Sequence, residues 1–218
     1  MSLVEWVAKG EIEEVRKCIQ NGSDVNGKDI HGDTMLMRAI LGGYLCGLKL
    51  LRQNGPSMDK GYIRKMMMIG CHVYAEIVKL LLENGADVEA EGGQRGENAL
   101  MLAATYGCTE MVKLLLEYGA NIKAVSFYGV TALIFSARGG HTETAKLLLE
   151  NGADMEVKNI NGVTALMSAL NMGQTETVKI LKDEIERRKQ LKMARYTFLR
   201  HTNFHLAQEI AVRINPKR

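Results

Sequence analysis

The sequence predicts an all-α solenoid of stacked helix–turn–helix units with short β-hairpin fingers, followed by a C-terminal helical extension. Three observations predict it. Glycines that close leucine-rich runs, at Gly22, Gly55, Gly85, Gly119 and Gly152, recur at steps of 33, 30, 34 and 33 residues. Self-similarity at such a period marks units that bury their apolar faces only by stacking on one another. The heptapeptide LLENGAD occurs at 81–87 and again at 148–154, so one helix ending is written more than once. Charge then divides the chain. Residues 1–181 hold 18 Lys/Arg against 21 Asp/Glu, whereas residues 182–218 hold 10 against 4, so the last stretch is a different object.

Taken in order, the spacing places units at about 1–28, 29–58, 59–90, 91–124, 125–157 and 158–183, with a basic extension over 184–218. Unit 1 (LVEWVAKGEIEEVRKCIQNG) has the helix pair without a Thr-rich start, as suits an N-terminal cap. In later units a first helix opens at GDTMLMRAI (32–40), GENALMLAA (96–104), GVTALIFSA (129–137) and GVTALMSAL (162–170). Thr34, Asn98, Thr131 and Thr164 are suited to cap these helices, because a side-chain oxygen there accepts from an otherwise orphaned backbone amide. Small alanines let the first helix approach its neighbours. The second helices, EIVKLLLENG, EMVKLLLEYG and ETAKLLLENG, carry apolar residues at i, i+3 and i+4. A closing glycine then takes the left-handed conformation that ends a helix.

The third unit is irregular. YIRKMMMIGCHVYAEIVKLLL (62–82) puts Tyr62 where a turn glycine belongs and Arg64 at the cap, and Gly55–Asp59 reads as a truncated finger. One extra residue follows Gly85, beside Arg95. In unit 6, TETVKILKDEI lacks a closing glycine, so its second helix is expected to run on through IERRKQLKMARY. An amphipathic segment with Phe204, Ala207, Ile210, Ala211 and Ile214 comes next. Ile185, Leu191 and Phe198 are expected to cap the open end of the stack, since terminal repeats must hide an outer apolar face.

These motifs resemble the ankyrin repeat family, whose units run from a Thr-Pro-Leu-His start through a Gly-His turn and a VKLLL helix to a GADVNA exit. GVTALIFSARGGHTETAKLLLENGADMEV (129–157) matches that pattern almost position by position, as does 96–124. The resemblance covers about six units over residues 1–183. The family's proline is replaced by Met35, Ala99, Ala132 and Ala165, and its histidine by Met37, Met101, Ile134 and Met167. Apolar packing should therefore replace polar bonding between units, with methionine as core filler. His141 fills the Gly-His turn position.

Other chemistry finds little support in the residues. Cys18, Cys46, Cys71 and Cys108 are scattered with no CxxC pair, which reads as a reduced protein without disulfide staples. Gly92-Gly93-Gln94-Arg95-Gly96 is glycine-rich, but no Lys-Ser/Thr comes after it, so a finger loop is expected rather than a phosphate cradle. His201 and His205 stand at i, i+4 without an acidic or cysteine partner. No catalytic residue, metal site or cofactor is expected. The start MSLVEWVAKGEIEEV lacks a basic region followed by an apolar core. The longest uncharged run, 124–137, is short and polar for a membrane span. A cytoplasmic location is therefore expected.

The resemblance implies a partner-binding face made of finger tips and the exposed side of the first helices. Carried over position by position, it gives Ile30, His31 and Asp33; Gln94, Arg95, Glu97, Thr105 and Tyr106; Phe127, Tyr128, Val130 and Arg138; and Ile160, Asn161, Val163, Asn171 and Met172. Phe127 and Tyr128 are adjacent aromatics on one tip, and aromatic and arginine side chains are the usual anchors of interfaces. The expectation is a monomeric, non-enzymatic adaptor, scaffold or regulatory module that binds another protein, with no nucleic-acid or membrane partner. A second reading makes it an accessory or effector subunit of an enzyme system. In that reading the RRKQLKMAR tail recruits a protein, a nucleic acid or an anionic membrane.

Overall fold

The computed structural model describes the backbone of residues 1–53 and 60–214, and the side chains of all of these but 53, 60–64 and 197–214. The chain divides into two compact units, Met1–Val178 and Lys179–Arg218. Among the described residues ten helices occur, about 63 % of the chain, and no strand. The fingers are turns, two of them closed by single antiparallel bridges, Lys28 with Thr34 and Gly92 with Glu97.

In the first unit the helices form two rows. α1 (Leu3–Lys9), α3 (Met35–Gln53), α5 (Ala99–Tyr106), α7 (Ala132–Gly139) and α9 (Ala165–Asn171) pack in succession as an inner row. α2 (Ile12–Gln20), α4 (Lys60–Glu83), α6 (Thr109–Glu117) and α8 (Thr142–Glu150) form the outer row. The chain leaves α9 into α10 (Thr175–Ile214). The sequence explains the regular levels directly. Thr34 Oγ1, Asn98 Oδ1, Thr131 Oγ1 and Thr164 Oγ1 each accept from the amide three residues on, at 3.0–3.3 Å. The Asn-Gly pairs end helices: after α8, Asn151 is the cap residue and Gly152 has φ 88°.

Successive levels are tied at the turn. His141 Nε2 lies 2.9 Å from the Thr105 carbonyl, and Gln174 Nε2 donates to the Arg138 carbonyl at 3.4 Å. Between outer helices, Thr109 and Thr144 hydroxyls meet at 2.8 Å, and Thr142 and Thr177 at 2.9 Å. Met35, Met37, Met101, Met111 and Met155 are buried, as filler should be, but Met167 and Met172 on or after α9 are exposed. Among the described residues, no further inner helix comes after α9 to cover them.

The structure departs from the sequence reading at 29–90. Two helix–turn–helix units were expected there, and one pair of long helices is found. α3 has 19 residues and α4 has 24, where α7 and α8 have 8 and 9. α3 lies between α1 and α5, and α4 between α2 and α6, so together they make a single level. At the turn position Gly107 and Gly140 are left-handed, with φ 68° and 70°, whereas Gly42 and Gly43 stay helical. The residues after Gly43 are Tyr44-Leu45-Cys46, not the Cys-Thr-Glu or His-Thr-Glu that starts α6 and α8. A nucleated helix of good formers continues until something stops it. Tyr62 and Arg64, placed by the sequence at a turn and a cap, lie inside α4. Gly55–Asp59, read as a truncated finger, lies outside the described residues.

Glycines let these two helices touch. A methyl group on Gly70 would strike the Gly43 carbonyl and the Gly47 amide, and one on Gly47 would come within 2.9 Å of Met67. Between and beside these contact residues, Leu45, Leu48, Met68 and Ile69 are exposed.

The cysteine expectation is also corrected. Cys71 of α4 and Cys108, the cap residue of α6, form a disulfide with Cα atoms 5.6 Å apart. They stand 37 residues apart in sequence, and only the stacking of adjacent outer helices brings them together. Cys18 and Cys46 are free thiols, both half-buried.

In the second unit, α10 continues without a break, as the missing closing glycine implies. Glu184 accepts from Arg187 at 2.6 and 2.7 Å and from Arg188 at 2.7 Å. These bonds hold its carboxyl down at about 2. Leu191 is 56 % exposed, where a capping residue was expected to be buried. The side chains of Phe198, His201, Phe204 and His205 lie outside the described residues.

Candidate protein-binding surface

Three of the fingers are tight loops built by a small polar residue at the base. Asp29 Oδ1 accepts from the His31 and Asp33 amides at 2.8 and 3.0 Å, and Asn159 Oδ1 accepts from Asn161 and Val163 at 2.9 Å each. Ser126 Oγ accepts from Val130 at 3.2 Å. These side chains satisfy the loop from within and leave its tip to solvent. The finger over 92–97 is one residue longer, and both Gly93 and Gly96 take positive φ, 61° and 62°. That is where the extra residue after Gly85 is accommodated.

The tips are exposed as expected. Ile30 is 95 % exposed, Phe127 65 %, Tyr128 50 % and Ile160 67 %; Gln94, Arg95 and Asn161 are also exposed. Neither member of the Phe127–Tyr128 pair is buried. Neighbouring tips are joined through the backbone: the Phe127 amide donates to the Arg95 carbonyl and the Ile160 amide to the Tyr128 carbonyl, each at 3.0 Å. The Phe127 ring also covers the backbone of Gly96. The tips at Arg95, Phe127–Tyr128 and Ile160 are therefore a linked row rather than independent loops.

Behind the tips run the inner helices. Arg138 is exposed and its guanidinium sits 5.5 Å from the Phe135 ring centroid. Met172 is exposed, while Val130, Glu97 and Tyr106 are half-buried. Arg95 lies 4.0 Å from Glu97. Burial raises both the Glu97 carboxyl and the Tyr106 hydroxyl above their ordinary pKa values, against the pull of Arg95 and Arg138 on Glu97. A groove of about 230 Å³ lies here, lined among others by Asp33, Met37, Leu41, Glu97, Leu102 and Tyr106.

The structure brings the chosen residues into a ribbon across successive levels, not to one point. It adds Tyr44, which stacks on Tyr106 with centroids 4.1 Å apart. Sequence reasoning missed Tyr44 because it expected two helix–turn–helix units over 29–90, whereas Tyr44 lies within the long α3. Leu170, 51 % exposed on α9, was missed as well; its place on the last inner helix is the signal that identifies it.

A family model described as ankyrin repeats (3 copies) matches residues 66–159 and 124–193. The chain belongs to the ankyrin repeat family. Ankyrin repeats generally mediate protein–protein interaction and are typically non-enzymatic. No curated protein matches the chain. Among the described residues, no group of three His, Cys, Asp or Glu is placed to hold a metal, and no helix is long and apolar enough to cross a membrane.

Proposed function

We propose that this ankyrin protein is a non-enzymatic adaptor that binds a partner protein through its finger tips and the exposed side of its inner helices. The observation that carries the reading is the linked row of exposed apolar tips, with Phe127 at 65 % and Ile160 at 67 % exposure. Apolar side chains held out on hydrogen-bonded loops gain free energy only when something covers them. Because the tips are tied to one another, little ordering cost opposes association. Residues 1–183 form the binding module, and the basic segment 184–218 is separate from it. Arg187 and Arg188 both bond Glu184 within their own helix, so the nucleic-acid reading gains no support.

The test is capture of partners from the protein's own cells with the full chain and with the triple variant F127A/Y128A/R138A. Captured proteins specific to the wild type should disappear, while the thermal midpoint stays nearly unchanged. An unchanged set of captured proteins overturns the assignment.

A further inference from the structure

The groove between the first two described fingers differs from the rest of the candidate surface in one respect. The residue after the glycine that precedes α3, α5, α7 and α9 is Asp33, Glu97, Val130 and Val163 in order along the stack, and the first two line this groove. Two carboxylates at one end give way to two valines at the other. Around the carboxylates Met37, Leu41, Leu102 and Tyr106 give apolar and aromatic wall, and Gln94 and Arg95 add polar lining; Tyr44 stacks on Tyr106.

The positive charges nearby do not fill this place. Arg38 lies 3.3 Å from Asp29, whose side chain is only 5 % exposed. Arg138 lies over Phe135. Arg95 lines the groove as well, but it stands 4.0 Å from Glu97 with 65 % of its side chain in solvent, and a contact that long to so exposed a guanidinium contributes little. Burial is the leading cause that raises both carboxyls and Asp29 raises Asp33 further, while the opposing pull of Arg38 and His31 on Asp33 and of Arg95 and Arg138 on Glu97 does not cancel it. Each carboxylate is thus taken partly out of water with incomplete compensation.

We propose that this groove receives an arginine side chain from the partner's docking segment, with its guanidinium between Asp33 and Glu97 and its stem against Leu41, Leu102 and Tyr106. A planar guanidinium can pair with carboxylates while it stacks on an aromatic face, which a lysine ammonium does less well. The change from carboxylate to valine along the stack gives the segment a direction. Its arginine lies toward α3 and α5, and its apolar residues lie toward Val130, Phe127 and Val163. The proposal rests on the protein-binding reading and specifies the chemistry of one end of that surface.

The groove can be tested without the partner. The full chain, labelled at methionine methyls and tyrosine rings, is titrated with N-acetyl-arginine amide and, separately, with the neutral N-acetyl-citrulline amide. The Met37 methyl and Tyr106 ring signals should move saturably with the arginine probe and not with citrulline. In D33N/E97Q, which keeps side-chain shape, affinity for the arginine probe should fall by at least about tenfold. Absence of a saturable shift, an equal response to citrulline, or unchanged affinity in the double variant overturns the proposal. Failure here with partner capture still lost in F127A/Y128A/R138A removes only the groove. Retained capture in that triple variant with a positive titration removes the tip surface and leaves the groove.

Discussion

The Tyr74 hydroxyl donates to the carbonyl of Ala8 at 2.9 Å. Tyr74 lies within α4 and Ala8 in the last turn of α1, so the bond does for the first level what the His141–Thr105 contact does for a later one. A methyl on Gly10 would reach 2.9 Å from the Tyr74 ring, just as one on Gly107 would collide with the His141 ring. Tyrosine and histidine thus serve one structural position. Tyr74→Phe should lower unfolding free energy by about 1 kcal/mol, the usual worth of one such bond. Gly10→Ala should cost more, because Gly10 has φ 76° as well as the ring above it. Urea unfolding of both variants decides it; an unchanged midpoint in Tyr74→Phe means the bond contributes nothing.

Gly70→Ala sets two effects against each other. Alanine is favoured over glycine within a helix by about 1 kcal/mol. Crowding against Gly43 and Gly47 backbone cannot be relieved by a rotamer change, and overpacking of this kind costs about 1–3 kcal/mol. Crowding should win, so the thermal midpoint should fall. A rise in midpoint would show that α3 and α4 do not cross as closely as their glycines indicate.

These two positions show where the sequence was legible and where it was not. Local chemistry read well: Thr34, Asn98, Thr131 and Thr164 cap the helices they were assigned, and Gly85, Gly119 and Gly152 end helices with positive φ. Such features are written within a few residues. The merger of 29–90 into one level was hidden, because LKLLRQNG mimics the VKLLLENG ending closely enough to suggest a further unit. Whether Gly43 turns or continues is decided by Tyr44-Leu45-Cys46 after it and by Tyr74, which is distant in sequence. The exposure of the tips read well, since each tip sits at a fixed step from its glycine. Tyr44 and the groove behind Tyr106 depend on the long α3, so they came only with the structure.

The Cys71–Cys108 bond closes a loop of 37 residues between adjacent outer helices. Restricting the unfolded chain by such a loop is worth roughly 2–4 kcal/mol. C71S/C108S should therefore unfold at distinctly lower urea than the oxidised wild type. A thiol reductant should lower the wild-type midpoint toward that of the variant and leave the variant itself unmoved. Equal midpoints before and after reduction would exclude a stabilising role.

Beside the disulfide, His72 Nδ1 lies 2.9 Å from Glu110 Oε2, joining α4 to α6. The hydrogen bond to Glu110 is the main cause that raises the His72 pKa above 6.5, helped by that carboxylate's charge and by Glu76. A raised folded-state pKa means protonated His72 favours the folded chain. Its contribution is fully present below pH 6.5, the ordinary value, and disappears as pH rises through the higher folded value. Both side chains are largely exposed, at 75 % and 49 %, so the effect should be small and should weaken with salt. Thermal midpoints of wild type and Glu110→Gln, measured in steps from acid to mildly alkaline pH, should differ most at the acid end of this range. The two curves should converge above it. Curves that stay parallel throughout would show that His72 gains nothing from Glu110.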